Sequence, residues 1–136
     1  MSKNSIKNKN ADSKQLNILI IDDNEQITKM LITFLELKNH KCTGASDGKQ
    51  GLALIEEGNH DVVLLDLAMP EFDGYAVIKA LESKDMLKNN KIIVFTASTI
   101  TQDELDELVS RGVTSYILKP IDIDQLLSKI VESAAS

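Results

Sequence analysis

The chain is poor in several residue types and patterns, and each scarcity excludes something. It has one cysteine, Cys42, so no internal disulfide can form, and it has no tryptophan and only two prolines. A lone thiol fits a reducing compartment. The longest unbroken apolar runs, among them Ile18 to Ile21, Val62 to Leu65 and Ile92 to Phe95, are four residues. A helix that crosses a bilayer needs roughly 20, so no membrane span is expected. The N-terminus, MSKNSIKNKNADSKQ, lacks the apolar segment of a secretory signal. These absences together point to a cytoplasmic protein. Arginine is also scarce: of fifteen basic residues only Arg111 is one. Nucleic-acid readers cluster Arg and Lys on a basic surface, so direct contact with nucleic acid is not expected.

What remains is 136 residues, 43% hydrophobic and 26% charged, which is one globular domain. Charge divides it. Residues 1–16 carry Lys3, Lys7, Lys9 and Lys14 against Asp12; subtracting that +3 from the formal −6 of the chain leaves −9 on the other 120 residues. The tail is rich in Asn, Lys and Ser and has one isolated Ile6, too little apolar surface to offset the entropy of ordering it. The expected organisation is a disordered basic tail over residues 1–16 and an acidic folded body over 17–136.

From Asn17 onward, short apolar runs alternate with amphipathic stretches, the mark of βα units stacked around a parallel sheet. Strands are expected at Asn17 to Ile21, Lys41 to Ala45, Asp61 to Leu65, Lys91 to Phe95 and Val113 to Leu118. A strand apolar throughout is one covered by helices on both faces. The first helix shows Ile27, Met30, Leu31, Phe34 and Leu35 at i, i+3, i+4, i+7 and i+8, one apolar stripe. The second is expected over Gly51 to Glu57 after an Asp47-Gly48 turn, and the third over Tyr75 to Ser83. The fourth, Thr101 to Arg111, should bury Leu105, Leu108 and Val109. A last helix, capped by Asp122 or Asp124, should turn Ile123, Leu126, Leu127, Ile130 and Val131 inward. The fold class is α/β, a doubly wound five-stranded parallel sheet with helices on both faces.

In such sheets ligands sit beyond the carboxyl ends of the strands. Strand one ends in Asp22-Asp23, strand three in Asp66, strand four in Thr96 and strand five in Lys119-Pro120. Asp66, Thr96 and Lys119 lie 44 to 97 residues beyond Asp22, so only the fold can gather them. Two unit charges about 5 Å apart at an effective dielectric of about 20 repel by roughly 3 kcal/mol, and three carboxylates form three such pairs. Either one carboxyl is protonated or a cation resides there. Carboxylate and carbonyl oxygens without nearby Cys or His suit a hard ion. With two or three protein oxygens available, an ion that keeps several waters is favoured, which is Mg2+. Asp66 is then a carboxylate nucleophile for a phosphoryl group. Thr96 and Lys119 would stabilise charge on the phosphoryl oxygens.

The motifs IDDN at 21–24, LLDLAMPEFDG at 64–74, FTAS at 95–98 and YILKP at 116–120 closely resemble, in order and spacing, the receiver domain of two-component response regulators, of the stand-alone chemotaxis-regulator kind. The resemblance covers about residues 17–133 and implies the flavodoxin-like strand order 2-1-3-4-5. It implies that Asp66 is the phosphoacceptor, that Asp23 binds Mg2+ directly and Asp22 mainly through water, and that the Ala68 carbonyl is a further metal ligand. Thr96 matches the switch hydroxyl, Tyr116 the aromatic switch residue, and Lys119 the phosphate-binding lysine, whose bond to Pro120 is cis in the family. The implied partners are a sensor histidine kinase or a histidine phosphotransfer protein upstream and a protein target downstream. The implied state is a monomer or a weak phosphorylation-dependent dimer, with no enzymatic activity beyond self-phosphotransfer and self-dephosphorylation. Output is expected at the face of helix four, strand five and helix five, by protein contact if this is the entire chain.

Two positions depart from the family. It often places polar side chains two residues after the phosphoacceptor and two after the switch threonine, where they tune attack by water; here stand Ala68 and Ser98. The competing functions are a relay intermediate that returns phosphate to another histidine protein and, from a different class, an aspartyl-phosphate phosphatase. The phosphatase wants a second aspartate where Ala68 stands. A flavin carrier of similar fold wants a hydroxyl-rich loop where Asp22-Asp23 stands. Cys42, His40 and His60 read as structural, Cys42 as a small buried hydrophobe. The acidic run Asp103, Glu104, Asp106 and Glu107 reads as a solvated helix face, with a docking surface for a basic partner as the alternative.

Overall fold

Apolar runs and amphipathic stretches alternate in the computed structural model as strands and helices around one sheet; the structure describes residues 14–97 and 99–135. Residues 1–13 of the expected disordered tail, and Ser98, lie outside the described residues. The strands are β1 (Asn17–Ile21), β2 (Lys41–Ala45), β3 (Val62–Asp66), β4 (Ile92–Thr96) and β5 (Ser115–Leu118). The helices are α1 (Glu25–Leu37), α2 (Gly48–Glu57), α3 (Gly74–Ser83), α4 (Gln102–Arg111) and α5 (Ile123–Ala135). The sheet order is β2-β1-β3-β4-β5 with every pairing parallel, so all five strands point their carboxyl ends to one edge.

Strand periodicity sends alternate residues to opposite faces and builds two cores. Leu19, Ile21, Val63, Leu65 and Val94 pack with Ile55, Val77, Leu81, Leu105 and Leu108 of α2, α3 and α4. Ile18, Ile20, Leu64, Ile93 and Phe95 pack with Leu31, Leu35, Leu126 and Ile130 of α1 and α5. Every residue of β3 and β4 is buried, which explains why both read as apolar without alternation.

Each helix starts at a short polar side chain that accepts a backbone N–H of the first turn: Asn24 from Ile27, Asp47 from Gln50, Asp73 from Ala76, Thr101 from Glu104 and Asp122 from Gln125. Thr101 and Glu104 form a reciprocal capping box. Asp47 caps rather than turns, so α2 begins at Gly48, three residues before the expected Gly51.

The remaining differences from the sequence reading have local causes. β3 and β4 each end one residue later than expected, at Asp66 and Thr96, because backbone pairing continues through a polar side chain: Asp66 pairs with Phe95, and Thr96 with Leu118. Met30, Val109 and Val131, expected inward, are exposed at 49%, 41% and 38%. Each adjoins a buried residue (Leu31, Leu108, Ile130), and one helical step rotates a side chain by about 100°. Cys42 is half-buried rather than buried because β2 is an edge strand; burial still pushes its thiol up to about 11, with Glu36 adding to the shift. Leu16, assigned to the tail, is buried at 5%, and its N–H donates to His40 Nδ1 at 3.1 Å.

His40 accepts that bond only while Nδ1 is unprotonated, and desolvation holds its pKa below the usual 6.5. As pH falls below about 6.5, the unfolded chain binds a proton at His40 that the folded chain does not. Stability should therefore fall toward the lower native value by at most about 1.4 kcal/mol per pH unit. Urea titrations should show this slope, and His40→Gln should remove it.

Gly74 carries the close approach that seats the β3–α3 loop, since a Cβ there would lie 2.4 Å from the Asp66 carbonyl oxygen and 2.6 Å from Leu67 Cα. Backbone would have to move. Gly74→Ala should cost about 1 to 3 kcal/mol in denaturant unfolding.

Candidate functional site

The sheet brings the distant aspartates together. Asp22 follows β1, and Asp66 is the last residue of β3, the strand beside it. One carboxylate oxygen from each of Asp22, Asp23 and Asp66 lies within 4.8 Å of the others. Asp22 and Asp66 are buried, at 1% and 3% exposure, and Asp23 is exposed at the mouth.

Backbone donors aim the two buried carboxylates. Asp22 Oδ1 accepts the Asn24 N–H at 2.9 Å, and Asp66 Oδ1 accepts the Ala68 N–H at 3.1 Å. Lys119 Nζ lies 3.5 Å from Asp22 Oδ2 and 3.5 Å from Asp66 Oδ2, an ion pair to both. Its ammonium sits 5.1 Å from the centre of the Phe95 ring. The Lys119-Pro120 bond is cis, as the family resemblance implies, and the Lys119 N–H donates to the Thr96 carbonyl at 2.8 Å.

One ammonium does not balance three carboxylates. Burial pushes the Asp22 carboxyl above its usual range, and the neighbouring Asp66 pushes it further; the Asn24 N–H and Lys119 offset this in part. Asp22 Oδ2 is buried with no hydrogen-bond partner. A buried carboxylate oxygen with no hydrogen bond and only an ammonium at 3.5 Å, among other carboxylate oxygens, fits a hard divalent cation such as Mg2+.

Thr96, 6% exposed, ends β4 on the face that Tyr116 of β5 also occupies. Tyr116 packs, half-buried, against the α2/α3/α4 core and does not join the carboxylate cluster. The Ala68 side chain is exposed, and together with Thr96, Asp73, Tyr75, Thr99 and Glu104 it lines an open cleft of about 320 Å³. Sequence reasoning missed Asn24, whose N–H orients Asp22; the cap signal Asn-Glu after a strand end would have found it. It also missed Gln102 and Lys129, which touch Tyr116 across 14 and 13 residues with no local signature.

A doubly wound sheet whose strand ends gather three aspartates beside a lysine in a cis Lys-Pro unit is the acidic pocket of a receiver. The response regulator receiver domain matches residues 18–131, and the chain belongs to that family. It is 31% identical over 113 residues to the DNA-binding dual master transcriptional regulator RpaA of Synechocystis, covering 83% of this chain and 46% of that protein. It is 33% identical over 109 residues to the regulatory protein AtoC of Escherichia coli, covering 80% of this chain and 23% of that one. The chain thus spans half or less of the curated relatives it matches. Among solved structures it resembles the receiver domain of Francisella response regulator 1452, with TM-score 0.81, 29% identity, and coverage of 89% of this chain and 98% of that one. A CheY-like receiver protein from Methanospirillum hungatei gives TM-score 0.77 at 28% identity, covering 88% and 94%.

Receiver domains are signalling domains that bind Mg2+ at an acidic pocket, and they interact with kinases or phosphotransfer proteins; this chain carries an aspartate cluster at the corresponding sheet edge. The expectation that nucleic acid is not a partner finds no support in the relatives, one of which is named as DNA-binding. It rests on the scarcity of arginine and the acidic charge of the body. No helix among the described residues is long and apolar enough to cross a membrane.

Asp22→Asn keeps Oδ1 for Asn24 and removes a buried negative charge. In chelator this variant should melt about 3 to 6 °C higher than the parent, on the order of 1 kcal/mol, and should lose most of the Mg2+-dependent stabilisation that the parent gains. Thermal melts with and without Mg2+ measure both.

Proposed function

We propose that the chain is the phosphoacceptor of a two-component pathway, built from a receiver over residues 17–136 behind a basic tail at 1–16, and that it works in the cytoplasm. The observation that carries this reading is the Asp66 carboxylate at the end of a buried strand, oriented by the Ala68 N–H and paired with Lys119. Asp22, Asp23, Asp66 and the Ala68 carbonyl would hold Mg2+, which when bound neutralises the clustered carboxylates and the incoming phosphoryl oxygens.

An Asp66 oxygen attacks the phosphorus of a phosphohistidine presented by a histidine kinase or histidine phosphotransfer protein. The P–O bond forms as the P–N bond breaks, and the electron pair leaves on the imidazole nitrogen, which takes a proton. Asp66 Oδ1 is held by a backbone donor, so the reacting group needs little reorganisation. Lys119, already 3.5 Å from both buried carboxylates, exchanges part of that pairing for a phosphoryl oxygen. The Thr96 hydroxyl moves toward the phosphoryl group and vacates space on the face it shares with Tyr116. Rotation of Tyr116 into that space reshapes the α4–β5–α5 face for a downstream protein or a weak dimer. A state populated at a few per cent needs about 2 to 4 kcal/mol of differential interaction to become dominant, within reach of charge-assisted hydrogen bonds from Thr96 and Lys119.

The chain catalyses nothing beyond its own phosphorylation and dephosphorylation. Ala68 offers no acid at the position where an aspartyl-phosphate phosphatase carries one. Asp66→Asn should abolish labelling by acetyl phosphate and by a phosphorylated kinase, a loss of at least about 100-fold for removal of a nucleophile. Intact-mass measurement reads it, and retained labelling would move the acceptor elsewhere.

A further inference from the structure

Tyr116 is held at two points that the phosphoryl site does not use. Its hydroxyl accepts a hydrogen bond from Gln102 Nε2 at 3.1 Å, and the same amide nitrogen donates to Asp106 Oδ1 at 2.9 Å. Gln102 is the first residue of α4, and Asp106 stands one turn further along it. From the other side, the Lys129 ammonium of α5 lies 5.3 Å from the centre of the Tyr116 ring and donates to Ser115 Oγ at 3.2 Å. A single aromatic ring therefore ties α4, β5 and α5 together.

The geometry points to Gln102 and Lys129 as positioning residues that latch Tyr116 in its present rotamer and so set how far the unphosphorylated protein populates the switched state. This inference rests on the proposed switch role of Tyr116. A ring that turns toward Thr96 leaves the Gln102 amide and slides from beneath the Lys129 ammonium, so both contacts belong to one state. Contacts made in only one of two states shift their ratio by their full strength. A hydrogen bond to a hydroxyl and a cation–π contact at a partly exposed site are each modest; losing either should raise the switched population about threefold, and losing both about tenfold. Asp106 aims the Gln102 amide, and Ser115 aims the Lys129 ammonium.

The chain has two tyrosines, Tyr75 and Tyr116, and no tryptophan, so the full chain carrying Tyr75→Phe and labelled with 3-fluorotyrosine reports Tyr116 through one fluorine resonance. Beryllofluoride with Mg2+ serves as the phosphoryl mimic. The parent resonance should move on adding the mimic. In the free form, Gln102→Ala and Lys129→Met should each displace it toward that same position and lower the half-saturating beryllofluoride concentration about threefold. Lys129→Arg, which keeps a cation over the ring, should behave as the parent, and melting temperatures should stay within about 2 °C of it. Gln102→Ala and Lys129→Met spectra and midpoints identical to a responsive parent would overturn the latch while leaving Tyr116 as the switch. A parent resonance indifferent to beryllofluoride would overturn the switch reading and the latch with it.

Discussion

The mutual repulsion of carboxylates gathered at one sheet edge is the constraint around which the rest of the domain is arranged. Asp22 and Asp66 are almost wholly buried, with Asp23 at their mouth, and one ammonium stands between the two buried groups. At an effective dielectric of about 20 such charges cost several kcal/mol, comparable with the whole stability of a small domain. The rigid part of the fold sustains this. β1 and β3 are neighbouring buried strands, helices cover both their faces, and backbone N–H groups of Asn24 and Ala68 fix the orientation of each buried carboxylate. An uncompensated cluster on flexible loops would splay apart. Held at strand ends, the three carboxylates each keep an oxygen within 4.8 Å of the others.

Much of this was legible in the sequence because the fold follows from patterns with strong physical causes. Val62 to Leu65 and Ile92 to Phe95 are apolar without alternation, which only doubly covered strands require, and the amphipathic stretches between them supply the covering helices. Once the sheet is parallel, every strand terminus lies on one edge, so the convergence of Asp22, Asp23, Asp66 and Lys119 is legible in the sequence. The motifs around them then specify the family.

What escaped the sequence was decided by rotation angle and by long-range pairing. Met30, Val109 and Val131 are apolar yet exposed, because position on a helix face and not hydrophobicity alone determines burial. The ends of β3 and β4 run one residue further than polarity suggested, since ladder hydrogen bonds belong to the backbone. The contacts of Tyr116 with Gln102 and Lys129 join residues from three elements and leave no trace in local spacing. His40, read as merely structural, proves to close the chain entry to β1 by accepting the Leu16 N–H.

Asp66 and Thr96 are the final rungs of their ladders, with buried rungs beneath and short loops beyond. A disturbance at the rim meets a buried, fully paired sheet beneath it. In the proposed function, loading and emptying of Asp66 would act at these top rungs and leave the deeper pairing of the sheet in place.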